Sequence, residues 1–313
     1  AVLRGCLQIL GGQKLPKDCR ESGRRELAEW LTDPKNPLTA RVMVNRIWQH
    51  HFGKGIVATP NDFGKRGKAP THPELLDYLA GRFVAGGWSI KAMHRLIMNS
   101  SAYQMSSAED ARNAGLDVNN DYLWRFNRRR LSAEEIRDSL LFVSGSLDRA
   151  AGGPHPFPPM KDWRFTQHQP FVDDYPSDKR TVYLMQQRIR KQPYLELFDG
   201  PDPNSTTGDR PLNTTPIQAL FMMNAPLAHK QAARFARRIQ SAAANDGTRI
   251  VRAYQLAYGR PPTKEEVRTG EDYLRNVASA LREAGTTDAQ LPEAAWASYS
   301  RVLFGSDEFI FVD

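Results

Sequence analysis

The chain has 313 residues, 40% hydrophobic and 25% charged, and its 43 Lys and Arg against 35 Asp and Glu give a net charge of +8. That length makes one large domain or two ordinary ones at about 100–200 residues each, and the composition excludes a wholly disordered chain. No stretch approaches the roughly 20 consecutive apolar residues of a membrane-spanning helix, so this segment is expected to hold no membrane span.

Residues 1–23 mix Gly11, Gly12, Pro16 and Gly23 with short apolar pieces, and open on Ala1 without Met or a basic leader. They read as a linker from an upstream part. Cys6 and Cys19 fall in it; their spacing fits neither a paired-CxxC zinc site nor a haem-attachment motif. A disulfide and two idle thiols are both left open.

Helix signals then recur. Ser22 can cap a helix through Leu31, with Leu27, Trp30 and Leu31 on one face. Asn36-Pro37 reads as an N-cap followed by proline in the first helical position. The run Leu38–Phe52 aligns Leu38, Val42, Asn45, Trp48 and Phe52, and Gly53 stops it. Thr71 with Glu74, Ser132 with Glu135, and Thr263 with Glu266 have capping-box spacing. Ser89 caps Ile90–Met98, Thr215-Pro216 starts Ile217–Met223, and residues 226–243 and 248–258 read as two more helices.

The middle differs. Gly152-Gly153-Pro154, Pro156, Pro158-Pro159, Pro170, Pro176 and Pro193 punctuate it, yet Phe157, Trp163, Phe165, Phe171, Tyr175, Tyr183, Tyr194 and Phe198 argue for an ordered course. Thr181–Met185 and Phe309–Val312 are β-prone. The expectation is a mainly α chain: a multi-helix body with a Pro/Gly-rich irregular segment and one or two short β-strands. Its parts are a helical 24–150, an irregular 151–215 and a helical 216–313, the two helical parts sharing one packed body.

The stretches Arg25-Glu26-Leu27-Ala28-Glu29-Trp30-Leu31 and Asn36-Pro37-Leu38-Thr39-Ala40-Arg41-Val42-Met43-Val44-Asn45-Arg46-Ile47-Trp48-Gln49-His50-His51-Phe52-Gly53 are distinctive. So are Thr59-Pro60-Asn61-Asp62-Phe63-Gly64, Pro70-Thr71-His72-Pro73-Glu74, and Phe198-Asp199-Gly200-Pro201-Asp202-Pro203-Asn204. Together they resemble the planctomycete-type domain of unknown function fifteen fifty-three, found near the C-terminus of proteins with cytochrome c-like modules. Where that family usually ends on Asn-Glu-Phe, this chain has Asp307-Glu308-Phe309. The resemblance implies a periplasmic or cell-surface setting and upstream partner domains in the same polypeptide. It implies no activity. Without CxxCH, a covalent haem c would sit elsewhere in the parent protein.

Three constellations could carry chemistry. Asn45, Arg46, Trp48, Gln49 and His50, with His72 and Glu74, read chiefly as a structural polar network, since buried polar groups must find partners; the functional alternative gathers His50 or His51 with His72, Glu74 and Asp77. Asp199, Asp202, Asn204 and Asp209 put hard oxygens on a proline-stiffened turn, the donor set Ca²⁺ takes, although Asx turns explain it equally. The basic runs at Arg125-Phe126-Asn127-Arg128-Arg129-Arg130, Arg188–Lys191 and Arg234 with Arg237-Arg238 read as solvated faces, not as a nucleic-acid surface. The favoured function is a module that docks partner domains or an extracellular ligand. The alternatives are a hydrolase acting on polymeric carbohydrate through Asp62, Asp199 and Asp202, and a haem-proximal electron-transfer partner using His50 or His51.

Overall fold

A computed structural model describes residues 4–15, 21–155, 159–162, 164, 168, 176–211 and 213–312. The pairing of Cys6 with Cys19 lies outside them, as do Phe157, Trp163, Phe165, Phe171 and Tyr175. Helices dominate: thirteen α-helices and one two-stranded ladder occur among the described residues. The chain divides into two compact units at Arg129/Arg130.

The first unit holds α1 (Arg24–Thr32), α2 (Thr39–Phe52), α3 (Pro73–Ala85), α4 (Ile90–Met98) and α5 (Ala111–Leu116). Val44, Ile47, Trp48 and Phe52 of α2 are buried with Leu76, Leu79 and Phe83 of α3 and with Met93 and Ile97 of α4. Each such side chain contributes about 1.5–3 kcal/mol by leaving water. Gly53 ends α2 in the left-handed region at φ +79°, where a side chain would be strained. Three expected caps shift. Gly23 stands at the N-cap of α1, and Asn36 accepts from the N–H groups of Leu38 and Thr39 at 3.0 and 3.3 Å, one turn before α2. The Thr71–Glu74 box does not form, because Thr71 points its N–H and hydroxyl at the Ile56 carbonyl instead.

The second unit holds α6 (Ala133–Val143), α7 (Pro193–Leu197), α8 (Pro216–Asn224), α9 (Pro226–Ala242), α10 (Asp246–Ala257), α11 (Lys264–Glu283), α12 (Leu291–Phe304) and α13 (Asp307–Ile310). This division groups α6 with the C-terminal helices. Phe235 and Ile239 of α9 face Phe304 of α12, and the Phe235 and Phe304 ring centroids are 5.4 Å apart. Capping boxes close on Ser132/Glu135 and Thr263/Glu266, and a third on Thr215/Gln218. The ladder pairs β1 (Arg129–Arg130) with β2 (Phe311–Val312). The expected C-terminal strand is shortened because Ser306 accepts the Phe309 N–H and turns Asp307–Ile310 into helix.

Thr181–Met185 is not a strand. Thr181 donates its N–H and hydroxyl to Asp138 Oδ1 at 2.8 and 2.6 Å. A 3₁₀ turn over Thr181–Tyr183 follows. Its backbone is satisfied by a side chain, and no neighbouring strand edge is required.

Candidate functional site

The second unit builds a polar arrangement from α6 outward. The Ser132/Glu135 box starts α6 and so sets the direction of Arg137, one turn further on. Arg137 is buried, at 7% exposure, and its fork is filled: Nη1 donates to Lys179 O at 3.0 Å and Thr181 Oγ1 at 3.1 Å, and Nη2 donates to Ser177 O. Burial lowers its pKa from the ordinary arginine value, and Asp138 opposes that shift. Arginine stays charged through such a shift. One buried cation therefore pins residues 177–181 to α6.

That pinning presents Asp178. Its carboxylate accepts from Arg234 Nη1 at 2.9 Å and has Lys230 Nζ at 4.0 Å, both on α9. On the other side, Gln192 caps α7 and Pro193 fills its first position, which plants Tyr194 in the core. The Tyr194 hydroxyl donates to Ala133 O at 2.9 Å, and its ring lies 5.5 Å from Phe221. Burial pushes the Tyr194 phenol far up, so it stays protonated.

Between these elements opens a cleft of about 440 Å³. Arg137, Arg190, Lys191 and Lys230 line it against one carboxylate, Asp178, and Tyr194 and Phe221 supply aromatic walls. Lys191 has Asp202 at 3.9 Å, and among the described residues Arg190 has no ion pair.

The residues singled out in the sequence lie elsewhere. Asn45 is fully buried: its Nδ2 donates to Val57 O at 3.0 Å and its Oδ1 accepts from Val57 N at 2.8 Å. Trp48 stacks on Phe52 at 4.2 Å, and Arg46 donates to Asn61 Oδ1 at 2.6 Å. Gln49 is half-buried, and His50 and Glu74 are exposed. His72 meets Thr71 Oγ1 at 3.0 Å and packs edge-on to Tyr122. Asp77 is held by Arg41 at 2.6 Å, a hydrogen bond that keeps its carboxyl below the usual range.

Asp62 belongs to the first unit and accepts the Gly64 N–H at 2.8 Å. Asp199 and Asp202 belong to the second. Asp199, at φ +61°, accepts from Asn213 N at 3.0 Å and Asn213 Nδ2 at 3.2 Å, while Asp202 Oδ1 accepts from Asn204 N at 2.9 Å. The backbone N–H of Asn204 and the Lys191 charge both hold the Asp202 carboxyl low. Asn204 donates to Arg188 O at 2.8 Å, and Asp209 is exposed. Among the described residues no three of His, Cys, Asp and Glu gather where they could hold a metal ion.

Sequence reasoning missed two partnerships. His51 meets His94 of α4 with Nε2 and Nδ1 2.8 Å apart, and burial, followed by the charges of His94, Arg129 and His50, holds the His51 imidazole below its usual pKa. The cationic cleft was missed because its groups come from four separate stretches; the solvated-face reading took Arg188–Lys191 as a run by itself.

A family model described as PSD1, protein of unknown function (DUF1553), matches residues 23–274. No curated protein and no solved structure matches the chain.

Proposed function

The chain belongs to the PSD1 family of proteins of unknown function (DUF1553), and from that premise we propose that it is an extracytoplasmic binding module of a larger, c-type-cytochrome-associated protein, taking a polyanionic extracellular ligand in the Arg137–Lys230 cleft. One observation carries the reading: four cations and a single carboxylate line a concave site with two aromatic walls. Clefts lined by one sign of charge concentrate ligands of the opposite sign. Aromatic side chains give a binding surface its large, rigid apolar contact area.

The ligand chemistry is a carboxylate-bearing or sulfate-bearing oligosaccharide: the charge meets Arg190, Lys191 and Lys230, and the sugar face meets Phe221. A hydrolytic reading finds less support, since Asp62 and Asp202 each accept a backbone N–H of their own turn and Asp199 accepts the backbone N–H of Asn213. Calorimetric titration with oligogalacturonate and with a neutral cello-oligosaccharide tests the proposal. The expected result is binding of the uronate alone, weakened several-fold by moderate salt and by Arg190→Ala. Equal binding of the neutral sugar, or salt-independent binding, would overturn it.

A further inference from the structure

The opposite side of the charge balance appears where α10, α11 and α12 meet. A cleft of about 520 Å³ there is lined by Tyr254, Tyr258, Tyr273 and Tyr299 and by Glu265, Glu266 and Glu308, with no Lys, Arg or His in its lining. In a chain of net charge +8, this lining is all acidic, with two carboxylates from α11 and one from α13. Glu265 and Glu266 sit in the first turn of α11, where the helix dipole favours carboxylates. The tyrosines are held in place. Tyr258 donates to Leu303 O at 3.1 Å and meets Ser306 Oγ at 2.9 Å; Tyr273 meets Ser298 Oγ at 2.9 Å. Gly270 leaves the floor open, since a Cβ there would stand 2.6 Å from Tyr299 Oη.

The edge of the cleft shows what this chemistry accepts. Arg260 already stands at the edge with its guanidinium 5.4 Å from the Tyr254 ring centroid, donating to Glu266 Oε1 at 2.7 Å and to Glu308 Oε2 at 2.7 Å. One organic cation, supplied by the chain, is thus seated between an aromatic face and two carboxylates. Glu265 is exposed and, among the described residues, has no ion pair.

We propose that this cleft is a second binding site, for a small organic cation whose ammonium or guanidinium group lies between Glu265 and the rings of Tyr258 and Tyr273. Cations are attracted to the negative faces of tyrosine rings, and Glu265 supplies the carboxylate that Arg260 leaves unused. A neutral polyol gains neither attraction, and an anion is repelled by Glu265, the carboxylate that Arg260 does not clamp.

The test is calorimetric titration of the intact chain with agmatine, and with glucose as a neutral probe. The expected result is saturable agmatine binding weakened about tenfold by Glu265→Gln, the change that about 1.4 kcal/mol of lost interaction produces, with no glucose binding. Tyr273→Leu should weaken it similarly. Glu265→Gln is an exposed change and leaves folding intact, so the test survives if Tyr273→Leu unfolds the chain. Agmatine binding unchanged by Glu265→Gln, glucose binding of equal strength, or no agmatine binding at all would each overturn the proposal. Oligogalacturonate binding at the cationic cleft is the separate readout: its retention in Glu265→Gln shows that the two sites fail independently.

Discussion

The two clefts of the second unit solve the same problem with opposite materials. The cationic cleft is held open by a buried arginine that spends its donors on backbone carbonyls and one hydroxyl, so the ligand-facing charges are the exposed Arg190, Lys191 and Lys230. The tyrosine cleft keeps its arginine at the edge, clamped by two carboxylates, and leaves its ring surfaces for the ligand. One is organised by a charge inside the protein, the other by aromatic packing. The difference teaches that a guanidinium does separate jobs according to burial: it builds structure where it is desolvated and mimics a ligand where it is not.

The largest expected effect breaks the cationic cleft at its foundation. Arg137→Met leaves the carbonyls of Ser177 and Lys179 and the Thr181 hydroxyl without their charged donor. Hydrogen bonds to charged groups contribute about 1.5–3 kcal/mol each, so a loss of at least about 3 kcal/mol in urea unfolding is expected. Oligogalacturonate binding should disappear and agmatine binding should persist. If both are lost together, the clefts are not independent.

Next is the converse break. Gly270→Ala drives a methyl to within 2.6 Å of Tyr299 Oη and 2.9 Å of Ile250 Cδ1. Overpacking of this kind costs about 1–3 kcal/mol. Melting temperature should fall and agmatine binding weaken, with the cationic cleft unaffected.

A pH series sharpens the role of the edge arginine. The Arg260 guanidinium, helped by the Thr263 N–H, holds the Glu266 carboxyl down to about 2 from its usual 4.5. A depressed acid stabilises the fold fully above its unfolded value, and that contribution is lost as pH falls from about 4.5 toward 2. In Glu266→Gln, stability should therefore fall less between pH 6 and pH 3 than in the parent, as read by chemical denaturation at each pH. Identical slopes would show that the clamp contributes nothing to folding.

How much of this was legible in the sequence depended on how local the cause was. Gly53, the Ser132/Glu135 box and the Thr263/Glu266 box act within one turn, and each was readable from neighbours alone. α12 was not read, although it packs on both α9 and α11. It starts at Leu291 behind an N-cap, Gln290, that makes no side-chain hydrogen bond, and Ala294, Ala295 and Ala297 blur its apolar period. Thr181 misled because β-propensity is a statement about packing in a sheet, and here Asp138, 43 residues away, claimed its backbone first. The sites were least legible. Arg137 acquires its meaning from carbonyls 40 to 42 residues on, and Tyr258, Glu265 and Tyr299 line one cleft only once three helices have packed. Composition announced a basic chain; it could not announce that the basic and acidic groups would be sorted into separate hollows.

The smallest expected effect concerns Asp202, the residue on which a hydrolytic and an electrostatic account differ most plainly. Its carboxylate lies 3.9 Å from Lys191 and accepts the Asn204 N–H. Both groups are exposed, and exposed pairs of this kind contribute little to stability. What Asp202 does change is the charge that Lys191 offers to the cleft. With Asp202→Asn the turn keeps an oxygen for the Asn204 N–H while Lys191 loses its nearby anion, so oligogalacturonate affinity should rise by about twofold, in line with the modest strength of exposed charge pairs. The gain should shrink as salt is added, because screening weakens exposed charges first. Agmatine binding should not move. A fall in uronate affinity, or the loss of a measurable hydrolytic rate on a carbohydrate polymer, would instead make Asp202 part of a reaction centre and remove the distinction between a charge that tunes a binding cleft and a charge that does chemistry.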